Sequence, residues 1–161
     1  MVFVGANGGG KTRLAVHIET TFALNAHRIS AHRALVLNPD VAHISETHAL
    51  AGLRTGNAAD NASLGHREGI RWQNKGSIFL LNDFDFLVQA LFGDQTNTSL
   101  QTHKKVRTGD HSPADPTKFE CLVSIWERLL PHRKFQITGD DIQVKVPGSD
   151  ALVNGGVNSD H

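Results

Sequence analysis

The chain has 161 residues, in which 16 Lys+Arg balance 16 Asp+Glu, with 39% hydrophobic and 20% charged residues. That length suits one domain with a real core, and the even balance excludes a global positive field that would collect nucleic acid. A single cysteine, Cys121, excludes an internal disulfide and fits a reducing compartment. No apolar run approaches a membrane span and no charged-then-apolar leader opens the chain, so the expected location is the cytoplasm, with no membrane partner.

Residues 2–4 are a short apolar, β-branched and aromatic run, as a buried parallel strand requires. Gly5, four further residues, then Gly10-Lys11-Thr12 fit the G-x-x-x-x-G-K-[ST] phosphate-binding loop. Gly5, Gly8, Gly9 and Gly10 permit a curled backbone whose N–H groups form an anion nest, and a helix from Lys11 aims its positive end at the same point. The expected cofactor contacts are Gly5, Ala6, Asn7, Gly8, Gly9, Gly10, Lys11, Thr12 and Arg13. Lys11 would reach the β/γ-phosphates of ATP, as a catalytic point charge, and the Thr12 hydroxyl would ligate Mg²⁺.

The helix after the loop is predicted over residues 11–24, carried by Leu14, Ala15, Ile18 and Phe22. Residues 28–37 read as a strand ending before Asn38-Pro39-Asp40, and 47–53 as a short helix. Residues 56–65 are turn formers without periodicity. Leu80, Leu81, Phe84, Leu87, Val88, Leu91 and Phe92 form a helical stripe with Gly93-Asp94 as its end. The polar stretch 95–115 carries the basic run Lys104, Lys105 and Arg107, read as a solvated face with DNA contact as the sharper alternative. Pro116-Thr117 opens a further helix that buries Phe119, Leu122, Val123, Ile125, Trp126, Leu129 and Leu130 and stops before Pro131. Residues 134–138 and 142–146 alternate around Gly139-Asp140-Asp141, the pattern of a β-hairpin. Residues 148–161 read as a loose tail.

A hydrolase built on such a loop needs a second acid at the end of an apolar strand, to hold Mg²⁺ and orient water. Asp83 follows an apolar run, but the helical spacing around it places Asp83 and Asp85 on the polar face of a helix. Asp40 comes after a proline, and Asp140 follows interleaved polar residues. The ten histidines show no H-x-x-x-H or H-x-H pair, so scattered loop histidines are the expectation and not a zinc site.

Residues 2–14 (VFVGANGGGKTRL) resemble the Walker A region of ABC-like ATPases related to the SMC and OLD proteins. Residues 28–33 (RISAHR), 71–75 (RWQNK), 80–85 (LLNDFD) and 125–133 (IWERLLPHR) look like a bacterial group of AAA-family, ATP-binding proteins. The resemblance implies an α/β fold, a partial P-loop NTPase nucleotide-binding domain of the ABC-ATPase type over residues 1–147. It would comprise a strand–loop–helix–strand unit (1–37), a helical insertion (77–131) and the hairpin (133–147), with the tail at 148–161. The family's Mg²⁺- and water-contacting glutamine falls at His32, a departure from the pattern that carries over as a candidate catalytic position. The family's signature helix, Walker B strand and switch histidine have no counterpart in these residues.

The functional expectation is therefore Mg–ATP binding, with hydrolysis completed by a second copy or a partner subunit and with DNA as a partner by family analogy. A small P-loop kinase is the alternative enzyme, with no D-G-x-P-R-like segment or arginine-rich lid to support it. A non-catalytic nucleotide-binding or interaction module is the alternative outside enzymes.

Overall fold

A computed structural model of the chain describes residues 4–29, 42–132, 135–137, 142–145 and 152–154. The elements are α1 (Lys11–Thr21), α2 (Glu46–Thr55), α3 (Phe84–Arg107), α4 (Lys118–Leu129), β1 (Phe135–Ile137), β2 (Ile142–Lys145) and β3 (Leu152–Asn154). A 3-10 turn follows α1 at Ala23–Asn25, and a single π-helical turn occupies Arg67–Arg71.

The expected α/β fold is overturned. The described residues are mainly helical, and among them the strands β1, β2 and β3 form one antiparallel sheet in that order. A P-loop NTPase fold needs a central sheet with a parallel strand leading into the loop. Val4 lies in no strand and is 93% exposed. The apolar run at 77–81 is no regular strand either: the Ile78 and Phe79 N–H groups both donate to the Lys75 carbonyl, and Leu81 alone makes an isolated bridge. Backbone donors committed to a local turn are lost to a ladder. Residues 1–3 and most of the expected strand at 28–37 lie outside the described residues.

The sheet is a small meander. Phe135 faces Val144 and Ile137 faces Ile142 across β1 and β2, the two runs in which the sequence predicts a hairpin. The turn at 139–141 lies outside the described residues. Val144 also faces Val153, so β3 places part of the expected loose tail in a ladder.

The chain divides into two units, one formed by Met1–Val36 and Thr47–Phe86, the other by Leu37–Glu46 and Leu87–His161. The first unit buries Ala49, Trp72 and Leu81 together with an unusual number of charged side chains. Gly52 in α2 is a contact point, since a Cβ there would lie 2.5 Å from the Phe86 ring.

The second unit has an apolar centre of Val88, Ala90, Leu91, Phe92 and Phe119, in which the Phe92 and Phe119 rings meet edge-on at 5.0 Å. Gly93 does not stop α3, which runs on to Arg107. A Cβ at Gly93 would lie 2.9 Å from the Glu46 Cα, so this glycine serves close packing inside the helix. Lys104, Lys105 and Arg107 occupy the last turn of α3, where exposed carbonyls favour cations.

α4 begins with a full capping box. The Thr117 hydroxyl accepts from the Glu120 N–H, and the Glu120 carboxylate accepts from the Thr117 N–H at 2.7 Å. Of the seven apolar residues expected on its buried side, Phe119 alone is buried, whereas Ile125 is 53% and Leu129 73% exposed. Amphipathic spacing marks a face that can be buried, and the fold decides whether anything covers it.

Candidate phosphate site and the buried charge cluster

Residues 5–10 form a glycine-rich loop that enters α1 at Lys11, and every residue from Val4 to Leu14 is exposed. Gly8 and Gly10 have φ of +82° and +80°, a region that costs an ordinary L-residue strain. The Gly9 N–H closes a turn onto the Ala6 carbonyl at 3.1 Å, and the Leu14 N–H makes the first helical bond to Gly10 at 2.9 Å. Gly10 is therefore the N-cap, with no side chain capping the helix and no acidic residue in its first turn. The first-turn N–H groups of a helix have no intrahelical acceptor, so this end is open to an anion.

Lys11 lies back across the loop. Its ammonium donates to the Gly5 carbonyl at 2.6 Å and the Ala6 carbonyl at 2.7 Å. The cation thus sits over the start of the loop. This arrangement fits a phosphate group, with Gly8, Gly9, Gly10, Lys11, Thr12 and Arg13 around the same short stretch. It fits Mg²⁺ only as an ion shared between the Thr12 hydroxyl, phosphate oxygens and water. Among the described residues no group of three His, Cys, Asp or Glu side chains is placed to hold a metal.

The acids expected as a second site do not join the loop. Asp83 precedes α3 instead of lying on its polar face, and it is buried at 7% exposure. Both its oxygens accept from Arg71, Nε at 3.2 Å and Nη2 at 3.0 Å. A carboxylate clamped this way by a buried guanidinium is a structural partner and not a free metal ligand. Asp85 lies in the first turn of α3. His32, Asp40 and Asp140 lie outside the described residues.

Sequence reasoning missed the most strongly built feature of this unit. Glu19, on α1, accepts from Arg71 Nη1 at 2.6 Å, from Arg28 Nε at 3.3 Å and from the Arg28 N–H at 3.2 Å. Arg67 extends Nη1 to the Glu19 and Ala23 carbonyls at 3.1 and 3.0 Å. The Arg28 and Arg67 guanidiniums lie 5.8 and 5.9 Å from the Trp72 ring centre. The Arg28 and Arg71 guanidiniums thus meet two carboxylates in a buried cluster, with the Arg67 guanidinium on backbone carbonyls beside them. Among the described residues, Arg28 Nη2, Arg67 Nη2 and the Trp72 indole N–H find no hydrogen-bond acceptor.

Burial pushes the Glu19 carboxyl up, but Arg71, the Arg28 N–H and Arg67 together outweigh it and hold the carboxyl below its ordinary range. Burial, helped by Arg71, pushes the His27 imidazole below its usual value, with Asp83 at 3.8 Å opposing. A charged residue at Glu19, five positions after helical Leu14 and on the inward side of an amphipathic helix, was the one available signal.

The chain matches no protein-family model, no curated protein and no solved structure. Among the described residues no helix is long and apolar enough to cross a membrane.

Proposed function

We propose that residues 5–12 bind the phosphate chain of a nucleoside triphosphate, ATP by the sequence motif, together with Mg²⁺. One observation carries the reading: the loop enters α1 through a left-handed Gly10 cap, with no acid in the first turn and the Lys11 ammonium held over the loop. Phosphate oxygens would accept from the first-turn N–H groups and take over the Lys11 ammonium from the Gly5 and Ala6 carbonyls. The Thr12 hydroxyl would supply one oxygen to Mg²⁺, and the phosphates and water would supply the others.

The described residues provide this cradle without an acid to orient an attacking water, since Asp83 is engaged by Arg71. Turnover of bound nucleotide would need a further carboxylate, from elsewhere in the chain, a second copy or a partner subunit. Titration of the protein with ATP and Mg²⁺, followed calorimetrically, tests the reading against Lys11→Ala. Loss of one charge-assisted phosphate contact should weaken binding at least about tenfold. Equal affinities in the two proteins would sink the reading.

A further inference from the structure

Residues 6–9 form a turn in which the Gly9 N–H donates to the Ala6 carbonyl at 3.1 Å, with Asn7 and Gly8 at its tip. Gly8 has φ of +82°, the sign that a type II turn requires at its third residue. Both tip residues are exposed, and nothing lies within 4 Å of the place a Cβ would take on Gly8. The bond that closes the turn uses the Gly9 N–H. Among the described residues, neither the Gly8 N–H nor the Asn7 side-chain amide takes part in a hydrogen bond.

That combination opens the backbone to attack on its own side chain. The Gly8 nitrogen can bond to the Asn7 Cγ and close a succinimide ring, with no side chain on Gly8 to crowd the approach. As that N–C bond forms, the Cγ–Nδ2 bond breaks, and the Asn7 NH₂ leaves as ammonia with the proton lost from the Gly8 nitrogen. Water then opens the ring at either carbonyl, giving aspartate or isoaspartate.

We propose that Asn7 is a site of spontaneous deamidation, and that the reaction switches off anion binding by the glycine loop. The second half rests on the phosphate reading of residues 5–12. The Lys11 ammonium holds the Gly5 and Ala6 carbonyls at 2.6 and 2.7 Å, immediately before Asn7 in the chain. A carboxylate at position 7 offers that ammonium an anionic partner inside the loop and meets an incoming phosphate with like charge. The isoaspartate product also routes the main chain through Cβ, which lengthens the turn.

Incubation of the full chain in warm, mildly alkaline buffer, followed by peptide mass mapping, tests the site. The peptide holding Asn7 should gain the mass of OH in place of NH₂ before those holding Asn61, Asn74 and Asn97, which precede Ala62, Lys75 and Thr98. Conversion at Asn7 no faster than at those three would overturn the site. Calorimetry with Mg–ATP and with tripolyphosphate tests the consequence. Aged protein and Asn7→Asp should both bind at least about tenfold more weakly than fresh protein. Asn7→Gln keeps an amide but would need a larger ring, so it should bind equally well fresh and aged. Its constancy excludes an effect of the second Asn-Gly pair, Asn154-Gly155. Equal binding by Asn7→Asp and fresh protein would overturn the switch. Fresh protein that binds neither ligand would instead remove the phosphate reading and leave the deamidation site standing.

Discussion

Glu19 and Arg71, 52 residues apart in the chain, meet at 2.6 Å with both side chains 2% exposed. The helix that carries the glycine loop at its start is thereby tied by its own carboxylate to a guanidinium that also clamps Asp83. Removing one partner leaves the others charged in an interior where they are costly, about 3–5 kcal/mol for a buried pair. Glu19→Ala and Arg71→Ala should each lower stability by that order in urea unfolding. A double variant less destabilised than the sum of the two singles would reveal the coupling, whereas simple additivity would contradict it.

Acid should loosen the same unit in two stages. His27 and Glu19 both have folded-state values below their unfolded ones, so each contributes stability that is present above its unfolded value and lost as pH falls through its folded value. Starting from about pH 6.5, the unfolded histidine value, stability should fall first through His27. A further fall through the carboxylate range should follow through Glu19. Melting temperatures between pH 8 and 4 check this, and His27→Asn should flatten only the upper stage. A melting temperature independent of pH would refute it.

Gly93→Ala should destabilise the protein even though alanine is the better helix former. The added methyl would lie 2.9 Å from the Glu46 Cα and Cβ. Overpacking costs about 1–3 kcal/mol, against about 1 kcal/mol gained from helix propensity. Gly69→Ala, where nothing lies within 4 Å of the new Cβ, is the control. A thermal melt in which Gly93→Ala is the more stable variant would exclude the close-packing role.

Gly10→Ala separates conformation from crowding at the loop. Nothing lies within 4 Å of a Cβ there, yet φ is +80°. The strain should cost about 1–2 kcal/mol of helix entry and weaken nucleotide binding by roughly tenfold or more. Unchanged binding in calorimetry would show that the left-handed cap is not what shapes the cradle.

Thr117→Ala should cost about 1 kcal/mol by leaving the Glu120 N–H of the first helical turn without its acceptor. Each variant keeps one of the two reciprocal bonds, and Glu120→Ala should cost less because alanine is also the better helix former at that position. Chemical denaturation of the two variants orders them. The reverse order would assign the cap to the glutamate.

Local chemistry was legible in the residues themselves. The glycines and Lys11 mark the loop and the start of α1, Thr117 and the proline before it mark the start of α4, and alternation around residues 139–141 marks the paired β1 and β2. Each of these depends on residues within a turn or two of one another, where backbone preference and short-range hydrogen bonding decide the outcome. Tertiary structure decided what those signals could not carry. Asp83 looked like a candidate acid and became the partner of Arg71, and Gly93 looked like a helix stop and became a contact with Glu46. Val4 looked like a buried strand and is exposed, because a strand exists only where another chain segment pairs with it. Buried charge and close packing depend on which distant residues arrive together, and no periodicity in the sequence records that meeting.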